Sequence, residues 1–133
     1  MLKLGKKARG FTIIEMMVVI SIILILVSIA VPVYSRSILL AREGVLKQDL
    51  FAMRSSIDSY TMDKAKAPQT LQDLVQEGYL REIPKDPFTS SRETWQIAQE
   101  DVLISVDQSQ PGITDVHSGS NLISSDGTAY STW

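Results

Sequence analysis

Residues 11–33 form a run of 23 residues with a single charge, Glu15. At about 1.5 Å per residue, a helix of this length is roughly 34 Å long, enough to cross a bilayer core of about 30 Å. Four cations (Lys3, Lys6, Lys7, Arg9) precede the run and no acid does. That asymmetry predicts a cytoplasmic N-terminus with the remainder on the far side of the membrane. Glu15 is the anomaly. An acid costs on the order of 2.5–3.5 kcal/mol at the centre of a membrane helix, and less near its end, so this position calls for a partner or a purpose.

Two ordinary export readings compete for the segment. A cleaved signal peptide has an apolar core of about 7–15 residues and a small-x-small cut site, which Ser28-Ile29-Ala30 supplies on paper. Against it, this core is longer, carries Glu15 and is followed closely by Pro32. A plain uncleaved anchor leaves Glu15 unexplained.

Gly10-Phe11-Thr12-Ile13-Ile14-Glu15, behind a short basic leader and ahead of Pro32, resembles the processing motif of type IV pilins and type II secretion pseudopilins. The resemblance implies a leader of residues 1–10, cut after Gly10 by a prepilin peptidase on the cytoplasmic side, and N-methylation of Phe11. It places Glu15 fifth in the mature chain and Pro32 at position 22, as the family has them. It also implies pairing of Glu15 with the Phe11 amine of a neighbouring subunit in a filament. Within one subunit the two groups are four residues apart, a spacing that shares a helix face. Burying such a pair repays its desolvation only with good geometry, so its expected role is to set register.

Pro32 lacks an N–H and crowds the preceding turn, which predicts a kink or local melting near residues 28–32. Beyond it the pattern turns amphipathic. Leu39, Leu46, Leu50, Met53, Ile57 and Tyr60 share one helical face, with Arg42, Glu43, Lys47, Gln48, Asp49, Arg54 and Asp58 on the others. The expectation is one long, interrupted helix of roughly 50 residues, ending before Pro68. Thr70 reads as an N-cap with Asp73 three residues on, opening a short helix over 71–77 that Gly78 stops. Pro68, this helix, Tyr79-Leu80 and Ile83-Pro84-Lys85-Asp86-Pro87 together resemble the connecting region of the major pseudopilin, with Ala67 where that family carries Tyr.

Residues 94–98 and 102–106 alternate like strands, and 113–117 is a weaker third candidate. Ser125-Asp126-Gly127-Thr128 reads as a turn, with Tyr130 and Trp133 tethering the tail. The expected fold class is α+β: a long N-terminal helix packed on a small antiparallel sheet, type IV pilin-like. The expected divisions are a leader at 1–10, a membrane and filament-core helix at 11–34, and a periplasmic head at 35–133.

Function narrows by exclusion and by resemblance. The net charge is −2; without the leader's four cations, nine remain against fifteen acids, a charge of −6 that argues against nucleic-acid binding. There is no cysteine and one histidine, which excludes disulfides, thiolate metal sites and multi-histidine sites. His117, Asp115 and Ser105, Ser118 or Ser120 make a triad only on paper, and no catalytic motif appears, so an enzyme is not expected. The resemblance implies a calcium site in the C-terminal loop. Here that loop offers one carboxylate, Asp126, where calcium takes six to eight oxygens, so no cofactor is expected and calcium stays an open alternative at Asp126. The resemblance further implies an inner-membrane, single-pass subunit that joins a homo-oligomeric helical filament with other pseudopilins and an assembly platform, and drives export across the outer membrane. A type IV pilus subunit is the nearest alternative, and a membrane-anchored periplasmic protein a more distant one.

Overall fold

The computed structural model describes residues 9–100, 103, 105, 106 and 108–133. Its first element, α1, spans Ile13–Lys64, a helix of 52 residues. The chain divides into two units, residues 1–38 and 39–133.

In the first unit every described residue is exposed, including the apolar ones from Phe11 to Tyr34. Its hydroxyls are turned back onto the helix. Ser21, Ser35 and Ser37 donate to the carbonyls of Met17, Val31 and Val33, four residues behind, at 2.7, 3.1 and 3.0 Å. Ser28 donates to the Ile25 carbonyl at 2.7 Å. Such back-bonding satisfies side chains that hydrocarbon cannot solvate. The helix continues through Pro32, so the local melting expected at 28–32 is not present. Helical neighbours on both sides hold the backbone, although the proline ring removes the N–H that would have bonded the Ser28 carbonyl.

In the second unit the stripe on α1 becomes the core. Leu46, Leu50, Met53, Ile57 and Tyr60 are buried, and Leu39 is half-buried. They cluster with Leu74, Trp95, Ile113, Val116 and Tyr130. Each such side chain is stabilised by about 1.5–3 kcal/mol relative to exposure. Two polar residues expected on solvated faces lie elsewhere. Glu43 is only 5 % exposed, and Arg54 is partly buried beneath the tail. Each is drawn inward by a partner far along the chain, which helical spacing does not register.

Helix α1 ends with Ala65 in a left-handed conformation (φ 53°). Lys64 pairs with Glu77 at 3.0 Å, a cation at the helix's negative end. Helix α2 spans Leu71–Gln76 and has the expected cap. The Asp73 amide donates to Thr70 Oγ1 at 3.3 Å, and the Thr70 amide donates to the Asp73 carboxylate at 2.9 Å, a reciprocal capping box. Gly78 follows with φ 81°.

Strand β1 (Gln96–Gln99) pairs antiparallel with β2 (Ile113–His117), Ile97 opposite Val116, with an irregularity between Ala98 and Gln99. The weaker of the strand candidates is thus the partner. Strand β1 starts at Gln96, because Trp95 turns into the core and donates its indole N–H to the Pro84 carbonyl at 2.8 Å. Of the candidate over 102–106, Val102 and Ile104 lie outside the described residues, Leu103 has no regular structure, and Ser105 and Val106 form a bend and a turn. Among the described residues the sheet has two strands. Gly112 packs so closely on Ala67 that an added Cβ would lie 2.4 Å from the Ala67 Cβ. The small residue at 67 and the glycine at 112 therefore fit each other.

Candidate functional site

The motif that dominates the sequence sits at the start of α1. Residues 9–12 are not helical, and Phe11 is 80 % exposed. Thr12 is the first residue tied to the helix. The Glu15 amide donates to Thr12 Oγ1 at 3.2 Å, and the Met16 amide donates to the Thr12 carbonyl at 3.2 Å. Thr12 therefore caps the helix, with Glu15 in its first turn, where an acid favours the positive end of the helix dipole. The Thr-x-x-Glu spacing of Thr12 and Glu15 is a capping-box signature, and it is the sequence signal that would have located this boundary.

The structure brings together an exposed, non-helical Gly10-Phe11 junction, a capped helix start and an acid one turn inside it. Downstream lies an apolar helix long enough to cross a membrane. Residues 5–31 match the family described as the prokaryotic N-terminal methylation motif. The type II secretion system core protein G of Klebsiella michiganensis is 32 % identical, over 80 % of this chain and 89 % of that protein. The chain belongs to the type II secretion system core protein G family. The core protein G of Klebsiella pneumoniae is 34 % identical over 64 % of this chain and 72 % of its own length. That of Escherichia coli K12 is 34 % identical over 62 % and 68 %. No solved structure matches the chain.

In this core protein G relative the head carries a second set of polar residues, gathered where the tail returns to α1. The carboxylate of Glu43 accepts from the Ser125 amide at 2.7 Å, the Ser125 hydroxyl at 2.6 Å and the Tyr130 hydroxyl at 2.8 Å. Burial pushes the Glu43 carboxyl up, but the bonds from Ser125 and Tyr130 outweigh it and hold the group below its ordinary value. Burial and the Glu43 carboxylate together push the Tyr130 phenol up to about 12. Asp126 Oδ1 accepts from the Ser124 hydroxyl, from the Thr128 amide at 3.0 Å and from the Thr128 hydroxyl at 2.6 Å. Those bonds set the expected turn, with Gly127 at φ 89°, and hold the Asp126 carboxyl at about 2.

Arg54 fastens the end of the tail. Its guanidinium donates to Asp115 at 2.6 Å, to the Val116 carbonyl at 2.8 Å and to the Trp133 main-chain oxygen at 2.7 Å. Tyr130 stacks on Phe88 at 3.8 Å, and Lys47 lies 4.6 Å from the Trp133 ring centroid. The tail is thus tethered by Tyr130 and Trp133, both to α1 and beside β2.

The triad drawn on paper does not assemble. His117 turns Nδ1 to the Trp133 main-chain oxygen at 2.5 Å and Nε2 to Asp115 at 3.4 Å. The buried Ser118 hydroxyl donates to the buried Asp86 carboxylate at 2.6 Å. Asp86 also accepts from the Phe88 amide at 2.8 Å, and so ties the Ile83–Phe88 loop to the end of β2. Among the described residues no group of three or more His, Cys, Asp or Glu side chains is placed to hold a metal ion.

Proposed function

We propose that this pseudopilin is cut after Gly10 by prepilin peptidase and N-methylated on Phe11. It waits in the inner membrane on α1 with its head in the periplasm, and is then assembled into a helical filament that drives protein export across the outer membrane. The observation that carries this reading is a helix start built for it. The Gly10-Phe11 junction is exposed and non-helical, Thr12 caps the helix, and Glu15 stands one turn inside an apolar segment with no buried residue. In this scheme the cut creates an amine for Glu15, which has no ion pair among the described residues. Apolar faces exposed in one subunit become the packed interior of the filament. Pro32 is the point at which the helix bends or opens as subunits pack.

Intact mass and N-terminal sequencing of the membrane-extracted protein test the first half. Methylated Phe11 at the N-terminus is the expected result. Retained Met1 means a plain anchor, and a chain beginning at Val31 means a cleaved signal peptide. Glu15→Ala tests the second half. Leader removal stays at its normal rate, and sheared filament falls at least about tenfold, the effect of losing roughly 1.4 kcal/mol per subunit contact. Normal filament yield from that variant would remove Glu15 from the assembly step.

A further inference from the structure

The C-terminal loop of this fold must be held against α1 by something, since residues 118–133 contain neither a strand long enough nor an apolar run dense enough to hold it alone. Family resemblance suggests calcium. The donor set does not fit that ion. Calcium takes six to eight oxygens, with carboxylates carrying most of the charge. Among the described residues two carboxylates, Glu43 and Asp126, meet residues 122–133, and both are met by hydrogen-bond donors. Glu43 accepts three bonds and Asp126 Oδ1 three more. Two of the six donors are backbone amides, of Ser125 and Thr128, whose positive ends point at the carboxylates where a cation would have to sit.

We propose that Glu43 replaces the cation: its carboxylate clamps residues 122–133 onto α1, and the loop is ordered without a divalent metal. The clamp joins residues 82 and 87 positions apart, so it closes the head as a bound ion would. Glu43 is 5 % exposed and Tyr130 1 %, so water competes little for the bonds between them. Charge-assisted bonds of this kind are about twice as strong as neutral ones. The Phe88–Tyr130 stack at 3.8 Å fixes the phenol so that its hydroxyl meets the carboxylate without further ordering. Where a cation site needs several acids in the loop, this arrangement needs one acid on the helix, and the loop contributes only neutral donors.

The test uses the full chain in detergent micelles. Thermal unfolding, followed by tryptophan fluorescence, is recorded with a chelator and with calcium raised to about 5 mM, above the weak end of protein affinities. The two midpoints are expected to coincide. Chymotrypsin cutting at Leu122 and Tyr130 reads the tail directly. Glu43→Gln is expected to speed that cutting about tenfold or more, equally in calcium and in chelator, while in a Trp133→Phe background the emission of Trp95 stays that of a buried indole. Should Glu43→Gln not fold, Tyr130→Phe removes one bond and keeps the ring, and cutting rises about fivefold. A wild-type midpoint that falls in chelator, tail protection that appears only with calcium, or a tail indifferent to both substitutions would each overturn the proposal.

Discussion

Helix α1 is one element with two economies. Up to Ile38 no described residue is buried, and its side chains have only their own helix for company. From Leu46 to Tyr60 every turn places a residue in the core: Leu46, Leu50, Met53, Ile57, Tyr60. The first region has its serine hydroxyls satisfied within the helix and its apolar surface left open. The second has its apolar surface covered and its polar groups satisfied at long range, by Glu43 to the tail and by Arg54 to β2 and Trp133. The first is therefore stable only in a surrounding that supplies apolar contact, whether lipid or another subunit. The second carries its stability within the chain.

That contrast is open to attack. The largest expected effect is Met53→Ala, a fully buried side chain, which should destabilise the head by about 2–5 kcal/mol in urea unfolding of the micelle-bound chain. The matched change Val19→Ala, in the exposed apolar region, should move the same curve by less than about 0.5 kcal/mol. Equal effects would mean that the two regions are not energetically separate. Next comes Glu43→Gln, at about 1.5–3 kcal/mol near neutral pH, because a charged acceptor is lost from three bonds.

Glu43 also gives the head a pH dependence of known sign. Its carboxyl lies below the unfolded value of 4.5. Its stabilisation is thus complete above pH 4.5 and is lost as pH falls through the folded value. Asp115 is lowered as well, burial being outweighed by the bonds from the Val116 amide and Arg54, and it acts in the same direction. Asp49, raised by burial and by Asp86, acts in the opposite one. An unfolding series from pH 7 to about 3 should therefore show a shallower acid limb in Glu43→Gln than in the wild type. Within the head, the smallest effect is Thr70→Ala, about 1 kcal/mol, from half of the α2 capping box. It sharpens the comparison by weighing a local contact of the head against the long-range ones.

What was legible in the sequence was local. The stripe from Leu46 to Tyr60, the Thr70–Asp73 box, the stop at Gly78 and the Ser125–Thr128 turn all depend on residues within a turn or two of one another. The N-terminal methylation motif matched over residues 5–31 was legible for the same reason. What was missed spans distance. Glu43 and Arg54 read as solvent-facing because their partners lie 82 and 61 residues away. The buried Asp86 reads as part of a turn until Ser118 is seen to donate to it. The weak pattern at Ile113–His117 became the sheet partner of β1 because pairing, not alternation, decides a strand. Thr12 is the exception. Its cap is local, carried by the Thr-x-x-Glu spacing of Thr12 and Glu15, and it lies inside the apolar run that reads first as a membrane segment.

The position of that cap decides what the proposed cut after Gly10 would do to the helix. The Gly10-Phe11 bond lies in non-helical backbone, ahead of the first helical hydrogen bond at Thr12. A cut there would break no helical bond and would leave the Thr12 cap in place. In the proposed scheme, leader removal and helix integrity are accordingly uncoupled. The rate of processing should follow the residues around the cut and stay blind to changes that loosen the helix farther in.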